Sequence, residues 1–241
     1  MPVAQKRGNP ISVFIPVSIL SDVPSLIEKT IKVGQIARAA SIFRVERIVV
    51  YRASKGDSRE DGFLIRDLLS YAETPQYLKK KLFPISESLR YAGMMPPLRT
   101  PHHPLESTMI DYREGFVLKS GKMGSTVDIG LRAPVTSGER LTPNTRVTMM
   151  LDQRSGSWSP VSRADVPHYW GYTVSLENKS LRQAIEAYDP VLDSVVATSR
   201  VGKLATAVAP RIRELMSPGQ RMAVLFGSPS EGVHEIIARD G

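Results

Sequence analysis

The chain has 241 residues, 41% of them hydrophobic, with no cysteine and a formal net charge of +8. This length predicts one large domain or one domain carrying a smaller insert, and the hydrophobic content is enough for a core. The lack of cysteine excludes disulfides, thiol catalysis and thiolate metal sites, and it favours a cytoplasmic protein.

The excess of basic residues favours a polyanionic partner. No apolar run approaches the length of a membrane span, and residues 1–10 lack the apolar centre of a signal peptide, so no membrane partner is expected. RNA is therefore the favoured partner, and a basic surface that binds nothing is the alternative.

The first part of the chain alternates strands and helices. Residues 1–10 are polar and basic and predict a flexible basic arm. The apolar runs at 11–20 and 47–51 predict two buried strands with an amphipathic helix between them. A strand, a helix and a strand in this order predict a parallel, right-handed unit.

The composition then changes. Four prolines within residues 96–104 exclude a regular helix there. Short alternating runs separated by glycine turns follow near 115–119, 126–131 and 146–151. Regularly spaced short strands of this kind predict a small antiparallel barrel. We place this insert at residues 96–165.

Strands and helices alternate again after the insert. Apolar runs near 170–175, 194–198 and 221–226 predict three more strands of one mostly parallel sheet. The predicted fold is therefore α/β, with a discontinuous domain over 11–95 and 166–241 that carries the antiparallel barrel.

A loop rich in glycine, serine and proline follows the last predicted strand. Gly227 and Gly232 let the backbone approach a ligand closely, and Pro229 stiffens the turn. The loop at 198–202 should lie at the same edge, because open parallel sheets bind ligands at the carboxyl ends of their strands. A purely structural turn is the alternative.

Several basic residues and histidines are candidates for RNA contact. Three adjacent lysines cannot share one helix face, so at least one of them projects toward a partner or into water. The four histidines have no carboxylate or histidine at a metal-ligand spacing, so no metal site is predicted. The predicted RNA-binding residues are Lys79, Lys80, Lys81, Arg99, His102, His103, Arg113, Lys119, Lys122, Arg132 and Arg146.

Six segments carry a resemblance to a known family. From about Ile11 onward, the chain resembles the archaeal branch of the SPOUT (α/β-knot) RNA methyltransferases, in which an OB-like domain is inserted into the knotted domain. This resemblance implies a SPOUT-like parallel sheet, an OB-like insert, S-adenosylmethionine as cofactor and ribosomal RNA as substrate. The segments are Ser12–Pro16, Tyr77–Pro84, Leu98–His103, Trp170–Tyr172, Thr198–Arg200 and the glycine loop at 227–232.

The resemblance also implies roles for single residues. Arg200 would orient the RNA or stabilise developing charge, although the segment 199–202 departs from the acidic, arginine and glycine pattern of the family. A surface arginine is the alternative for Arg200, and charge complementarity at a helix N-terminus is the alternative for Glu235. The implied S-adenosylmethionine site consists of Thr198, Ser199, Gly202, Phe226, Gly227, Ser228, Pro229, Gly232 and Glu235.

The C-terminus leaves two functions open. Members of the resembled family continue past the position of Gly241 with a segment that closes the cofactor pocket and supplies homodimer contacts. A chain ending at Gly241 is expected to bind S-adenosylmethionine weakly or not at all. One hypothesis is an active rRNA methyltransferase. The other is a catalytically lapsed RNA-binding component of the archaeal large ribosomal subunit, in contact with rRNA and ribosomal proteins.

Overall fold

The computed structural model describes residues 3–240, which form two compact units. The first, here called the β unit, comprises residues 3–6, 73–86 and 98–171. The second, here called the sheet unit, comprises residues 7–72, 87–97 and 172–240.

The β unit extends beyond the predicted insert at 96–165. Its N-terminal residues join it through backbone pairing, because the Tyr169 amide donates to the Ala4 carbonyl at 2.8 Å and the Lys6 amide donates to the Pro167 carbonyl at 3.1 Å. The described part of the predicted basic arm is therefore bonded to the rest of the chain. Met1 and Pro2 of that arm, and Gly241, lie outside the described residues.

The described residues contain the following strands and helices, in chain order. The strands are β1 (Ile11–Pro16), β2 (Arg47–Tyr51), β3 (Tyr112–Gly121), β4 (Gly124–Asp128), β5 (Val135–Ser137), β6 (Arg146–Leu151), β7 (Trp158–Val161), β8 (Thr173–Leu176), β9 (Ser194–Ala197) and β10 (Met222–Leu225). The helices are α1 (Leu26–Ile42), α2 (Arg59–Glu73), α3 (Gln76–Leu82), α4 (Leu181–Glu186), α5 (Ala205–Leu215) and α6 (Val233–Asp240).

The sheet unit contains a five-stranded parallel sheet in the order β8-β2-β1-β10-β9. This confirms the predicted α/β class with a parallel sheet. The first strand is shorter than predicted, because the chain turns into a 3-10 helix at Val17–Leu20. Strand β8 begins at Thr173, whereas the sequence predicts a strand from about residue 170. Gly171 has a positive φ of 81°, which a strand does not adopt.

The β unit contains a curled, five-stranded antiparallel sheet in the order β5-β4-β3-β6-β7. Its concave face is filled by the fully buried side chains of Val117, Val127, Ile129 and Met149. The short alternating runs of the sequence therefore form antiparallel strands, as predicted. Within residues 3–240, no helix is long and apolar enough to cross a membrane.

Candidate functional site

The glycine loop starts at the carboxyl edge of the parallel sheet and is held there by two other strands. The Phe226 amide donates to the Phe14 carbonyl on β1 at 2.9 Å. The hydroxyl of Tyr51, the last residue of β2, donates to the Phe226 carbonyl at 2.8 Å. Tyr51 is fully buried, so its aromatic ring stabilises the core while its hydroxyl fixes the first residue of the loop.

The loop after β9 begins beside the glycine loop. Both the amide and the hydroxyl of Thr198 donate to the Leu225 carbonyl, at 3.0 and 2.9 Å. The Ser199 hydroxyl accepts from the Val201 amide at 3.2 Å, and Ser199, Arg200 and Gly202 are exposed. The structure therefore brings the starts of both predicted cofactor loops to one carbonyl group, as their position after neighbouring strands predicts.

At one glycine of this edge, neighbouring backbone atoms leave no room for a side chain. A Cβ atom at Gly227 would lie 2.4 Å from the Glu231 carbonyl oxygen, closer than real contacts allow, and 3.0 Å from the Gly232 Cα. At Gly202 the nearest atom would be Ser199 Cβ at 3.4 Å, and at Gly232 it would be a flexible carboxylate at 3.1 Å. Only Gly227 of the three is therefore demanded by backbone packing.

Side chains at the start of α6 close the same loop. The Ser228 hydroxyl accepts from the Glu231 amide at 2.9 Å, and Pro229 is exposed beside it. The Glu235 carboxylate accepts from the Gly232 amide, which is the arrangement expected of a charge at a helix N-terminus. The cofactor role of Glu235 stays a prediction.

An ion pair fastens the loop to α6. The Arg239 guanidinium donates to both oxygens of Glu231, at 2.5 and 3.0 Å, and also to the Ala53 carbonyl at 2.5 Å. Hydrogen bonding from Arg239 lowers the pKa of the Glu231 carboxyl below its usual value. Residues after β2 and β10 are thus tied together at the edge.

Apolar side chains also reach the surface near this edge. Val201 is 96% exposed, Leu204 is 77% exposed and Phe226 is 39% exposed. Exposed apolar side chains beside a narrow glycine turn can contact the flat face of a heterocycle, while the backbone of the turn provides hydrogen bonds.

The predicted RNA-binding residues, all in the β unit, fall into two groups. One group is exposed or half-buried: Lys79, Lys80, Arg99, Lys119, Lys122 and Arg132. Burial lowers the pKa of Lys79 to about 8, so it remains mostly charged at neutral pH. Lys81 has a carboxylate partner within the unit, Asp128. RNA contact by the exposed group stays a prediction.

The second group has an internal role instead. Arg113 is fully buried and donates to the carbonyls of Ile129 at 3.1 Å and Leu105 at 2.5 Å. His102 is fully buried, and burial together with His102 lowers the pKa of His103 to about 3, so His103 carries no charge for a phosphate. The structure therefore places Arg113 and His102 in the interior of the β unit, whereas His103 is half-buried beside the Glu73 carbonyl.

Arg146 also lies in an internal ion cluster. Its Nε donates to Glu114 at 2.5 Å, and its Nη1 and Nη2 donate to Glu73 at 2.7 and 3.2 Å. Arg163 donates to the same Glu73 carboxylate at 2.7 Å. Burial disfavours the Glu73 carboxylate, but Arg146, Arg163 and His102 outweigh it and hold the pKa of Glu73 well below its usual range.

Comparison with known proteins decides the family. Residues 10–241 match a family model described as "Putative RNA methyltransferase". The chain belongs to this family.

Named relatives in this RNA methyltransferase family come from eukaryotes and archaea. The chain is 34% identical to a Mus musculus protein named 28S rRNA (uridine-N(3))-methyltransferase, over 88% of this chain and 62% of that protein. It is 33% identical to the Homo sapiens protein of the same name, over 88% of this chain and 64% of that protein. An uncharacterized Halobacterium salinarum protein is 30% identical over 94% of this chain and 80% of its own length. The chain thus spans less than two thirds of the mammalian relatives.

Sequence reasoning missed the residues that hold the family's glycine loop in place here. Tyr51 contacts Phe226 and Arg239 contacts Ala53, and both contacts join segments far apart in the chain, which no local pattern encodes. Glu231 pairs with Arg239 only eight positions later. The one available signal was Tyr51, an aromatic residue with a hydroxyl at the end of an otherwise aliphatic strand. Buried tyrosines usually find a hydrogen-bond partner, so this position could have indicated a contact.

Proposed function

We propose that this protein is an S-adenosylmethionine-dependent methyltransferase that acts on ribosomal RNA. In this proposal the sheet unit is a SPOUT-type domain with the cofactor at its carboxyl edge, and the β unit is an OB-like insert. The observation that carries the proposal is the tight Gly227 turn, which hydrogen bonds from β1 and β2 hold beside the start of the 198–202 loop. Family membership supports the reaction class.

The residues at this edge fit the proposed cofactor. Gly227 lets the loop close tightly against the Glu231 carbonyl, and Phe226, Val201 and Leu204 offer apolar surface for an adenine ring. Bound S-adenosylmethionine supplies an electrophilic methyl group. The protein's own task is then mainly to align the acceptor atom with that group.

The relatives named for uridine N3 methylation indicate the acceptor that we propose. Uridine N3 carries a proton, which passes to solvent as the new N–C bond forms, and negative charge develops on the base as this proton leaves. Arg200 is exposed at the start of the 198–202 loop, where a cation can stabilise that charge or hold a neighbouring phosphate. The role of Arg200 is part of this proposal.

The proposal is tested by calorimetric titration of the full chain with S-adenosylmethionine, followed by transfer of labelled methyl groups to rRNA. Gly227→Ala should abolish both cofactor binding and transfer, because its Cβ collides with the Glu231 carbonyl. Gly93→Ala is the matched control and should bind normally, because Gly93 is an exposed residue of the sheet unit outside both loops, and an added Cβ there meets no atom within 4 Å. Equal affinity in the two variants would refute the proposed site. No heat from the wild-type chain, together with tight RNA binding, would favour the non-catalytic RNA-binding hypothesis.

A further inference from the structure

A groove of about 540 Å³ opens on the β unit beside β6 and β7. This volume lies within the range of small-molecule sites, roughly 300–1,000 Å³. One part of its wall is apolar, with Leu141, Val147, Pro160 and Val161. The remaining wall is polar and includes two arginines of the ion cluster, Arg146 and Arg163.

The charges around this groove compensate one another. Arg146 and Arg163 both donate to the buried Glu73 carboxylate, and Arg146 also donates to Glu114. Glu114 and Glu139 line the groove themselves. A phosphate entering it would meet guanidinium groups that are already paired and two carboxylates that repel it. The groove therefore favours an uncharged ligand.

The geometry of Arg146 favours a flat ligand. All three of its guanidinium nitrogens donate to carboxylates, and hydrogen bonds from a guanidinium lie in its plane. Its side chain is nevertheless 22% exposed, so the accessible part is mainly the face of the group. A guanidinium face held in place in this way is a stacking surface for a nucleobase.

We propose that this groove binds one unpaired base of the RNA, stacked on the Arg146 face and against the apolar wall near Val161. Glu139 and Ser162 are the groups in the wall that meet the polar edge of the base. The inference rests on the proposed function only in taking RNA as the polymer. It requires neither cofactor binding nor methyl transfer.

The test fills the groove without touching the ion cluster. Val161→Trp places a large ring in it, at a strand position where an aromatic residue is tolerated. Thr136→Trp, on the exposed surface of β5 and outside the groove, is the matched control. We expect Val161→Trp to bind a short single-stranded RNA about tenfold more weakly than the wild type, and Thr136→Trp to bind it equally. Equal binding by Val161→Trp would overturn the proposal.

A second experiment tests whether the ligand in the groove is a base. One abasic position in the same RNA should weaken wild-type binding about tenfold and cause no further loss in Val161→Trp, because both changes remove the same contact. Additive losses would overturn the proposal. Glu139→Gln should leave the salt dependence unchanged. Tighter binding with a steeper salt slope would instead assign the groove to a phosphate.

A third measurement separates this inference from the proposed function. Val161→Trp should bind S-adenosylmethionine as the wild type does, since Val161 belongs to the β unit and the proposed cofactor edge to the sheet unit. If the wild type does not bind S-adenosylmethionine, only the proposed function is refuted. If one abasic position does not weaken RNA binding by the wild type, only the proposed base site is refuted.

Discussion

The two units hold their key residues in opposite ways. At the carboxyl edge of the sheet unit, neutral hydrogen bonds to the carbonyls of Phe14, Leu225 and Phe226 position the starts of the loops, and the ion pair at this edge, Arg239 with Glu231, is partly exposed. In the β unit, the buried charges of Glu73, Glu114 and their arginines do so. A neutral hydrogen bond contributes about 0.5–1.5 kcal/mol, whereas removing one member of a buried ion pair costs about 3–5 kcal/mol. A single substitution at the edge should therefore reduce stability only slightly, whereas a single substitution in the ion cluster should reduce it strongly.

The largest expected effect comes from removing the central cation of the cluster. Arg146→Met leaves the Glu73 and Glu114 carboxylates buried without their main partner and should destabilise the β unit by about 3–5 kcal/mol. The measurement is urea unfolding at neutral pH followed by tryptophan fluorescence. Both tryptophans of the chain, Trp158 and Trp170, belong to the β unit, so this signal reports on that unit.

The control for this variant is Arg132→Met, which removes an exposed cation of the same unit. Its stability should stay within about 0.5 kcal/mol of the wild type, as is usual for surface changes. A loss below about 1 kcal/mol for Arg146→Met would show that the two carboxylates do not depend on the arginine.

A smaller effect on the stability of the β unit is expected as the pH is lowered. The folded pKa of Glu73 is well below its usual range, so its contribution to stability is complete above the unfolded value of about 4.3. Below that pH the unfolded chain takes up a proton that the folded chain does not, and stability is lost as the pH falls toward the folded pKa. Unfolding by tryptophan fluorescence between pH 6 and pH 3 measures this loss.

Glu73→Gln provides the comparison for the acid range. It removes the titrating group and should therefore show a shallower fall in stability below about pH 4.3, starting from a lower value at neutral pH. Identical pH slopes in Glu73→Gln and the wild type would show that another group causes the acid sensitivity.

The smallest effect is expected at the carboxyl edge of the sheet unit. Tyr51→Phe keeps the buried ring but leaves the Phe226 carbonyl without its hydroxyl donor, at a cost of roughly 0.5–1.5 kcal/mol. Amide hydrogen exchange should accelerate in the 226–232 loop, while the tryptophan-monitored unfolding of the β unit stays unchanged. Unaltered exchange in the loop would mean that the Phe14 contact alone is sufficient to hold it.

The sequence predicts the parallel sheet well, because its strands lie in short, largely apolar runs that alternate with helical segments. The meeting of the 198–202 and 227–232 loops follows from the same pattern, since neighbouring parallel strands end at one edge. The joining of residues 3–6 to the β unit could not be predicted. That junction depends on pairing with residues 167–169, which are more than 150 positions away.

The internal partners of the charged residues could not be predicted from the sequence. Arg113 and Arg146 lie in alternating strands and have the residue type of an RNA contact, and the structure pairs their guanidinium nitrogens with carbonyls and carboxylates of the β unit. Glu73 lies 73 positions from Arg146, so no local spacing reveals the pair. One signal was present: β3 has charged residues at the consecutive positions Arg113 and Glu114, which a half-buried strand would place on both of its faces.

The place of β10 in the sheet has a consequence for synthesis of the protein. This strand lies between β1 and β9, although β1 is made roughly 200 residues earlier. Until β10 is made, β1 has an open edge with apolar neighbours, which is a surface that readily pairs with other chains. Nascent chains stalled before residue 222 would carry this edge unprotected, so β10 is the strand that protects the edge of β1 from pairing with other chains.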